Sequence, residues 1–133
     1  MQRSSADIWF SKCVRAAADN TCARCGIQRE RMECSHIHGR RHRTVRWDKL
    51  NAVCKCHACH RWWHENPTEG SLWFQKHKGQ YMIDLLMEKK NLKLKVPKGE
   101  EKEIAKHYQN EFKQIEEKRA AGTGGYIDFV SYQ

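Results

Sequence analysis

Apolar residues recur at helical spacing in four parts of the chain. Over residues 6–18, Ser4 and Ser5 offer capping hydroxyls and the apolar side chains fall on neighbouring turns. Two further helices are predicted before and after Gly79, and we expect both to complete the core. The fourth helix, over residues 100–121, is strongly charged. Its narrow apolar stripe, which favours packing against a partner helix, consists of Ile104, Tyr108, Phe112 and Ile115.

The middle of the chain follows a different pattern. Residues 31–38 are mixed in character, and a basic run leads from Gly39 to Trp47, which predicts two strands joined by a loop through Gly39. A helix should begin at Cys59 and stop at Asn66-Pro67, because proline interrupts helical hydrogen bonding. The predicted order is therefore strand, strand, helix.

The positive charge is concentrated in the first half of the chain. Residues 1–65 carry thirteen Lys and Arg against six Asp and Glu, net +7, whereas residues 66–133 carry twelve against ten, net +2. Because binding of phosphates by basic side chains releases counterions, this field suits a polyphosphate partner such as DNA. A basic surface that only keeps the protein soluble is the alternative.

The composition predicts one small domain with an appendage. Only 39% of the 133 residues are hydrophobic, so a bound metal would have to supply part of the stability. We assign residues 1–90 to the domain with its N-terminal packing helix. Residues 91–133 hold an extended segment, a charged helix and an apolar tail, and could serve in dimerisation or DNA binding.

Two pairs of cysteines have the spacing of zinc ligands. Cys22 and Cys25 form the first pair, and Cys56 and Cys59 form the second. Together they predict a tetrahedral structural Zn²⁺ site. The odd number of cysteines and the broken apolar pattern of residues 1–20 favour metal-bound thiolates in a reducing cytoplasm over exported disulfides. No stretch reaches transmembrane length, so we expect no membrane partner. Buried free thiols are expected at Cys13, Cys34 and Cys54.

His36 is the candidate general base. An imidazole with a pKa near neutrality can take a proton from water if its other nitrogen is held by a carbonyl or side chain. His36 could instead ligate zinc or pack in the core, although four cysteines already complete a tetrahedron. Asn51 is predicted to orient the loop that carries His36, with a plain turn residue as the alternative.

His60 and His64 are candidate ligands of a catalytic divalent ion, Mg²⁺ or Mn²⁺. Four residues apart on a helix, they share one face, but they could also be ordinary surface histidines. Trp62 and Trp63 could stack on DNA bases, and core packing is favoured for at least one of them. The basic side chains predicted to grip DNA phosphates are Arg40, Arg41, Arg43 and Arg46.

The combined motif Cys22-x2-Cys25-Gly26, Ser35-His36-Ile37 and Asn51-x4-Cys56-x2-Cys59-His60 resembles the zinc-bearing branch of the HNH endonuclease superfamily. More closely, Trp9-Phe10-Ser11-x3-Arg15, Arg46-Trp47-Asp48-x2-Asn51 and the helix at Tyr81 look like the phage NinG (Rap) recombination nucleases. This resemblance implies a nuclease that uses a divalent cation on branched DNA, such as Holliday junctions and D-loops, in the cytoplasm of a bacterial host. Ser35 stands where many HNH proteins carry a metal ligand, so the resemblance implies an ion held chiefly by His60, with His64, Ser35 or His38 as candidate further ligands.

These patterns predict an α+β fold, a small zinc-stabilised ββα-metal (HNH) core flanked by helices, with a C-terminal helical extension. Paired cuts at a four-way junction require a homodimer, for which the helix over residues 100–121 is the candidate interface. A nickase or nonspecific DNase without branch preference fits the same motifs. A noncatalytic zinc module that binds DNA is a further alternative, but it leaves the order of His36, Asn51 and His60 unexplained.

Overall fold

The computed structural model describes residues 2–92 and 94–132, and within them the chain is α+β, with five α-helices and a two-stranded sheet. The elements are α1 (Ser5–Ala17), β1 (Glu33–His36), a short 3₁₀ turn (Lys49–Asn51), β2 (Ala52–Lys55), α2 (His57–Glu65), α3 (Pro67–Lys78), α4 (Gln80–Lys90) and α5 (Glu100–Ala120). The helices predicted from apolar spacing are present within one or two residues, and α2 begins slightly before Cys59. Gly79, with a φ of 86°, separates α3 from α4 as expected.

The start of α1 is defined by a capping box. The Asp7 main-chain N–H donates to Ser4 Oγ, and the Ser4 main-chain N–H donates in return to Asp7 Oδ2 at 2.8 Å. Beyond the helix, Asp19 and Asn20 both adopt φ of 52°, which turns the chain toward the first cysteine pair. The helix therefore ends close to the residue that its apolar pattern predicts.

The second strand lies further along the chain than predicted. β1 pairs in antiparallel fashion with Ala52–Lys55, and the basic run between Gly39 and Trp47 forms consecutive turns instead. In these turns the N–H groups of His42, Val45 and Asp48 each donate to the carbonyl three residues earlier. All four residues of β2 are buried, so the strand shows no alternation that could identify it.

α1 and α5 pack together as the centre of the main hydrophobic core. Phe10 of α1 meets Tyr108 of α5 edge to face, with ring centroids 5.0 Å apart. Ile104 and Ile115 are also buried in this core. The stripe on α5 that we expected to face a second copy is thus covered by α1 of the same chain, and α5 belongs to the same core as residues 1–90 rather than to a separate appendage.

The segment after α5 returns across this core. Ile127 and Phe129 of the apolar tail are buried there. Lys49 anchors the segment, because its Nζ lies 2.7 Å from Asp128 Oδ1 and 2.8 Å from the Phe129 carbonyl oxygen. The tail therefore braces the turn that leads into β2.

A smaller cluster lies under α3 and α4. Its buried members are Val45, Phe74 and Leu86. By contrast, 57% of Leu72 on α3 and 77% of Tyr81 on α4 are exposed, so the two helices predicted to complete the core do so with only part of their apolar side chains. In the described ranges, 2–92 and 94–132, no helix has the length and apolar character needed to cross a membrane.

Candidate metal centre and cleft

The four paired cysteines converge on one point. The sulfur atoms of Cys22, Cys25, Cys56 and Cys59 all lie within 4.8 Å of one another. Cys25 Sγ and Cys56 Sγ, one from each pair, are 3.8 Å apart. A ZnS₄ tetrahedron with Zn–S bonds of ~2.3 Å has edges of ~3.8 Å, so the cluster could hold a metal ion such as zinc.

Local backbone geometry directs polar hydrogens toward these sulfurs. The Cys25 N–H donates to Cys22 Sγ at 3.5 Å, and the Cys59 N–H donates to Cys56 Sγ at 3.4 Å at the start of α2. Gly26, with a φ of 76°, permits the tight turn after the first pair. Both turns thus favour thiolate, the form that binds metals.

Two thiols of the cluster, those of Cys22 and Cys59, differ in pKa. Burial opposes ionisation of Cys22, but backbone N–H groups, led by that of Cys25, lower its pKa to about 6. Burial and the neighbouring thiols instead raise the pKa of Cys59 to about 12. Four thiolates so close together repel one another, and a bound divalent cation is what would allow all of them to ionise.

Beside the cluster lies a cleft of about 530 Å³ that contains most of the predicted catalytic side chains. β1, α1 and α2 form its walls. His36, Arg40, His60 and His64 line it together. The structure therefore brings four candidate residues from three separate segments to one cavity.

His36 meets the condition set for a general base. Its Nε2 lies 3.1 Å from the Arg46 main-chain carbonyl oxygen. Because a carbonyl only accepts hydrogen bonds, Nε2 carries the proton and Nδ1 retains the lone pair. Burial lowers the pKa of His36 below its ordinary value of 6.5, so the neutral imidazole predominates at neutral pH.

Asn51 holds the loop that follows His36. Its side chain is fully buried; Oδ1 accepts from the His38 N–H at 2.8 Å, and Nδ2 donates to the His38 carbonyl at 2.9 Å. The Ile37 N–H donates to the Asn51 carbonyl at 2.9 Å. These three bonds fix the backbone on the C-terminal side of His36, which is the role that the sequence predicts for Asn51.

Glu33 is a residue of the cleft that the sequence analysis missed. Its Oε1 accepts from His60 Nδ1 at 2.7 Å, and its Oε2 lies 2.8 Å from His57 Nδ1. The bond to Glu33 leaves His60 Nε2 as the acceptor nitrogen, an arrangement typical of metal-binding histidines. A signal was present, because Glu33 is the single carboxylate between residues 31 and 47.

The histidines do not form a second complete metal cluster. The His60 and His64 rings are 4.9 Å apart. In the described part of the chain, the four cysteines are the only group of three or more His, Cys, Asp or Glu side chains whose ligand atoms all lie within 4.8 Å of one another. Ser35 is fully buried and does not line the cleft. A catalytic ion would therefore draw on His60 and His64, with water completing its shell.

Two predicted phosphate-binding arginines have structural partners instead. Arg46 is buried, and its Nε lies 2.9 Å from Asp7 Oδ1, so this side chain is not accessible to DNA phosphates. Arg43 donates to Glu101 Oε2 at 2.9 Å and to the Val96 carbonyl. These ion pairs connect the turns after Gly39 to α1 and α5, which the sequence pattern alone could not indicate.

Of the other predicted contact residues, Arg41 remains on the surface, whereas the two tryptophans pack against other side chains. Arg41 is exposed and donates to the neighbouring His42 ring at 3.2 Å. Trp62 is covered by Arg24, whose guanidinium carbon lies 3.6 Å from the ring centroid. Trp63 packs against Phe74, in agreement with a core role for one of the two tryptophans.

α1 contributes a row of polar side chains to the cleft that was not predicted as part of the site. Arg3, Asp7, Ser11 and Arg15 all line it. Asp7, Ser11 and Arg15 are spaced four residues apart and share one face of α1, and Arg3 precedes the helix at the same spacing; this spacing is the signal that could have identified them. With Arg40, the cleft holds three arginines that could contact phosphate.

The buried carboxylate of Asp7 makes stability dependent on pH. Burial alone would raise its pKa, but the hydrogen bond from Arg46, the Ser4 N–H and the Arg46 charge lower it to about 2. A carboxyl group whose pKa is lower in the folded than in the unfolded state stabilises the protein at pH values above its unfolded-state pKa. This stabilisation is lost as the pH falls toward the folded-state pKa. We expect about 2 kcal/mol to be lost between about pH 4 and pH 2.

Urea unfolding at several pH values checks this expectation for Asp7. Asp7→Asn should lower the free energy of unfolding at pH 7 and flatten its fall below pH 4, whereas the exposed Asp84→Asn should do neither. An equally steep acid limb in Asp7→Asn would show that other carboxylates cause it.

No protein family model, no curated protein and no solved structure matches this chain. Its function is therefore inferred from the cysteine cluster and from the side chains of the cleft.

Proposed function

We propose that this protein is a metal-dependent DNA endonuclease of the HNH type. The observation that carries the proposal is His36, whose Nε2 is held by a main-chain carbonyl while its ring lines a cleft shared with His60, His64 and Arg40. A noncatalytic zinc module has no need for an imidazole with a fixed tautomer beside arginines. The net charge of +9 agrees with a polyanionic substrate.

Each side chain has a defined task in phosphodiester hydrolysis. Nδ1 of His36 takes the proton from the attacking water, and the bond from Nε2 to the Arg46 carbonyl keeps the ring in the required tautomer. Arg40 donates to the phosphate, whose negative charge grows in the transition state. Asn51 holds the His38 backbone and is a positioning residue.

His60 and His64 would hold a divalent cation, Mg²⁺ or Mn²⁺, beside the scissile phosphate. Such an ion supplies stabilisation of the leaving oxygen and of the charge on phosphorus-bound oxygens. Imidazole is a softer ligand than the oxygen atoms that Mg²⁺ prefers, so the two histidines favour Mn²⁺. Zinc in the cysteine cluster would tie the turn of Cys22 and Cys25 to the end of β2 and the start of α2, and it would take no part in the chemistry.

Branched DNA is the substrate we propose, on the resemblance to the phage NinG recombination nucleases. Cleavage of a labelled four-way junction beside a linear duplex of identical sequence tests this part. Symmetric cuts on the junction alone would support a resolvase that acts as a homodimer in the host cytoplasm. Equal cutting of both substrates would identify a nickase or a nonspecific DNase.

Glu33→Gln is expected to weaken Mn²⁺ binding by the zinc-loaded protein about 10- to 100-fold. A carboxylate that accepts a hydrogen bond from one nitrogen of a metal-binding histidine makes the other nitrogen a stronger metal ligand. Isothermal titration with Mn²⁺ measures the change. Glu30→Gln, on the same segment but outside the cleft, serves as the matched control. Equal Mn²⁺ affinity in both variants would contradict the role of Glu33.

A further inference from the structure

Lys55 is the most unusual buried side chain in the described structure. It is the last residue of β2, it has no exposed surface, and its Nζ has no hydrogen-bond partner among the described residues. An ammonium group removed from water in this way is costly unless an opposite charge compensates it. An aspartate or glutamate usually provides that charge, but within residues 2–92 and 94–132 none forms an ion pair with Lys55.

Aromatic rings hold the ammonium group in place without neutralising it. Nζ lies 3.9 Å from the centroid of Trp63 and 5.0 Å from that of Trp73. Cation–π contacts offset part of the lost hydration. They leave the positive charge itself in the interior, at the residue that directly precedes Cys56.

A second cation approaches the cysteine cluster from the surface. Nη1 of Arg24 lies 3.5 Å from Cys59 Sγ, and the guanidinium is stacked on Trp62. Arg24 belongs to the first cysteine turn and contacts a sulfur directly. Lys55 directly precedes Cys56, and its ammonium group is close enough to Cys22 and Cys59 to interact with them electrostatically.

Four thiolates and one Zn²⁺ carry a net charge of −2. Lys55 and Arg24 together carry +2, which would make the loaded cluster neutral. Without them, a dianion would lie next to the cleft that we propose for DNA phosphates and would repel them.

We propose that Lys55 and Arg24 are the counter-charges of a metal tetrathiolate formed by Cys22, Cys25, Cys56 and Cys59. Lys55 is therefore a positioning residue of the metal centre, because all four thiolates that compensate the two cations are formed together only when the metal is bound. This inference needs the cluster to bind a metal, but it does not depend on nuclease activity.

Metal affinity of the full-length protein at pH 7, measured by competition with a chelator for Zn²⁺ and by the visible absorption of Co²⁺, tests the proposal. Lys55→Met keeps the length and the aromatic contacts of the side chain and removes the charge. We expect its Zn²⁺ affinity to fall about 10- to 100-fold, as for other outer-shell changes. At saturating Zn²⁺ the variant should still show a cooperative unfolding transition, which separates a lower metal affinity from a failure to fold.

Lys12→Met is the matched control. Lys12 also lies over a tryptophan, 4.5 Å from the Trp9 ring centroid, but it belongs to α1, away from the cysteines. Its metal affinity should equal that of the wild type. If Lys55→Met does not fold, Arg24→Gln, at an exposed position, provides the same test with an expected loss of about tenfold. Wild-type affinity in Lys55→Met, or in Arg24→Gln where that variant replaces it, would overturn the proposal.

Discussion

His36→Ala is expected to abolish DNA cleavage while leaving the fold and DNA binding intact. General bases contribute about 10²- to 10⁴-fold to the rate, so a loss of at least about 100-fold is predicted. The side chain is only half-buried, and its main hydrogen bond goes to a main-chain carbonyl that water can satisfy instead. Single-turnover cleavage of labelled DNA measures the rate, and fluorescence anisotropy measures binding.

His107→Ala is the matched control for this variant. His107 also places Nε2 on a main-chain carbonyl, that of Val130 at 2.6 Å, but it lies on α5 and does not line the cleft. The pH dependence of cleavage by the wild type is a second check. Burial lowers the pKa of His36 below its ordinary value of 6.5, so the cleavage rate should fall only below about pH 6.5. Loss of cleavage in His107→Ala, or full cleavage in His36→Ala, would refute the assignment of the base.

Loss of the bound metal is expected to unfold the protein. Structural zinc sites contribute about 10–16 kcal/mol of apparent binding free energy, which exceeds the net stability of most small domains, about 5–15 kcal/mol. Cys22→Ser removes one buried ligand and should abolish stoichiometric zinc together with the folding transition. Zinc content per chain and thermal unfolding by circular dichroism, with and without a chelator, provide the measurement.

Cys34→Ser separates metal binding from a general effect of cysteine loss. Cys34 lies on β1 outside the cluster, and burial raises the pKa of its thiol to about 12, so it is an inert thiol. This variant should retain zinc and a folding transition. A zinc-free wild-type protein that unfolds at the same temperature as the zinc-loaded one would contradict a structural role for the metal.

Local patterns predicted much of the fold because their causes are local. The helix over residues 6–18 begins with a capping box, and the two cysteine turns depend on N–H groups a few residues from the sulfurs. β2 was misplaced because it is buried on both faces and therefore lacks alternation. The partner of the α5 stripe is α1, some ninety residues earlier, and spacing within one helix cannot identify it.

Residue type alone selected His36, Asn51 and His60 as candidates, because few side chains can act as bases, amide braces or metal ligands. The structure places His36 and His60 in the cleft, and Asn51 holds the loop that follows His36. Glu33 and Arg46 were missed or misassigned because their roles depend on partners that the fold supplies. Glu33 meets His60 from α2, and Arg46 is withdrawn from the surface by Asp7 from α1.

The most direct test of the central claim is incubation of the purified zinc-loaded protein in Mn²⁺ with covalently closed circular DNA that carries an extruded cruciform, which is a four-way junction. A closed circle has no ends, so its conversion to nicked or linear DNA reports endonuclease activity alone. We predict conversion by the wild type and none with excess chelator or with His36→Ala. Closed circles that stay intact while the protein binds them would contradict a nuclease and identify a noncatalytic zinc module.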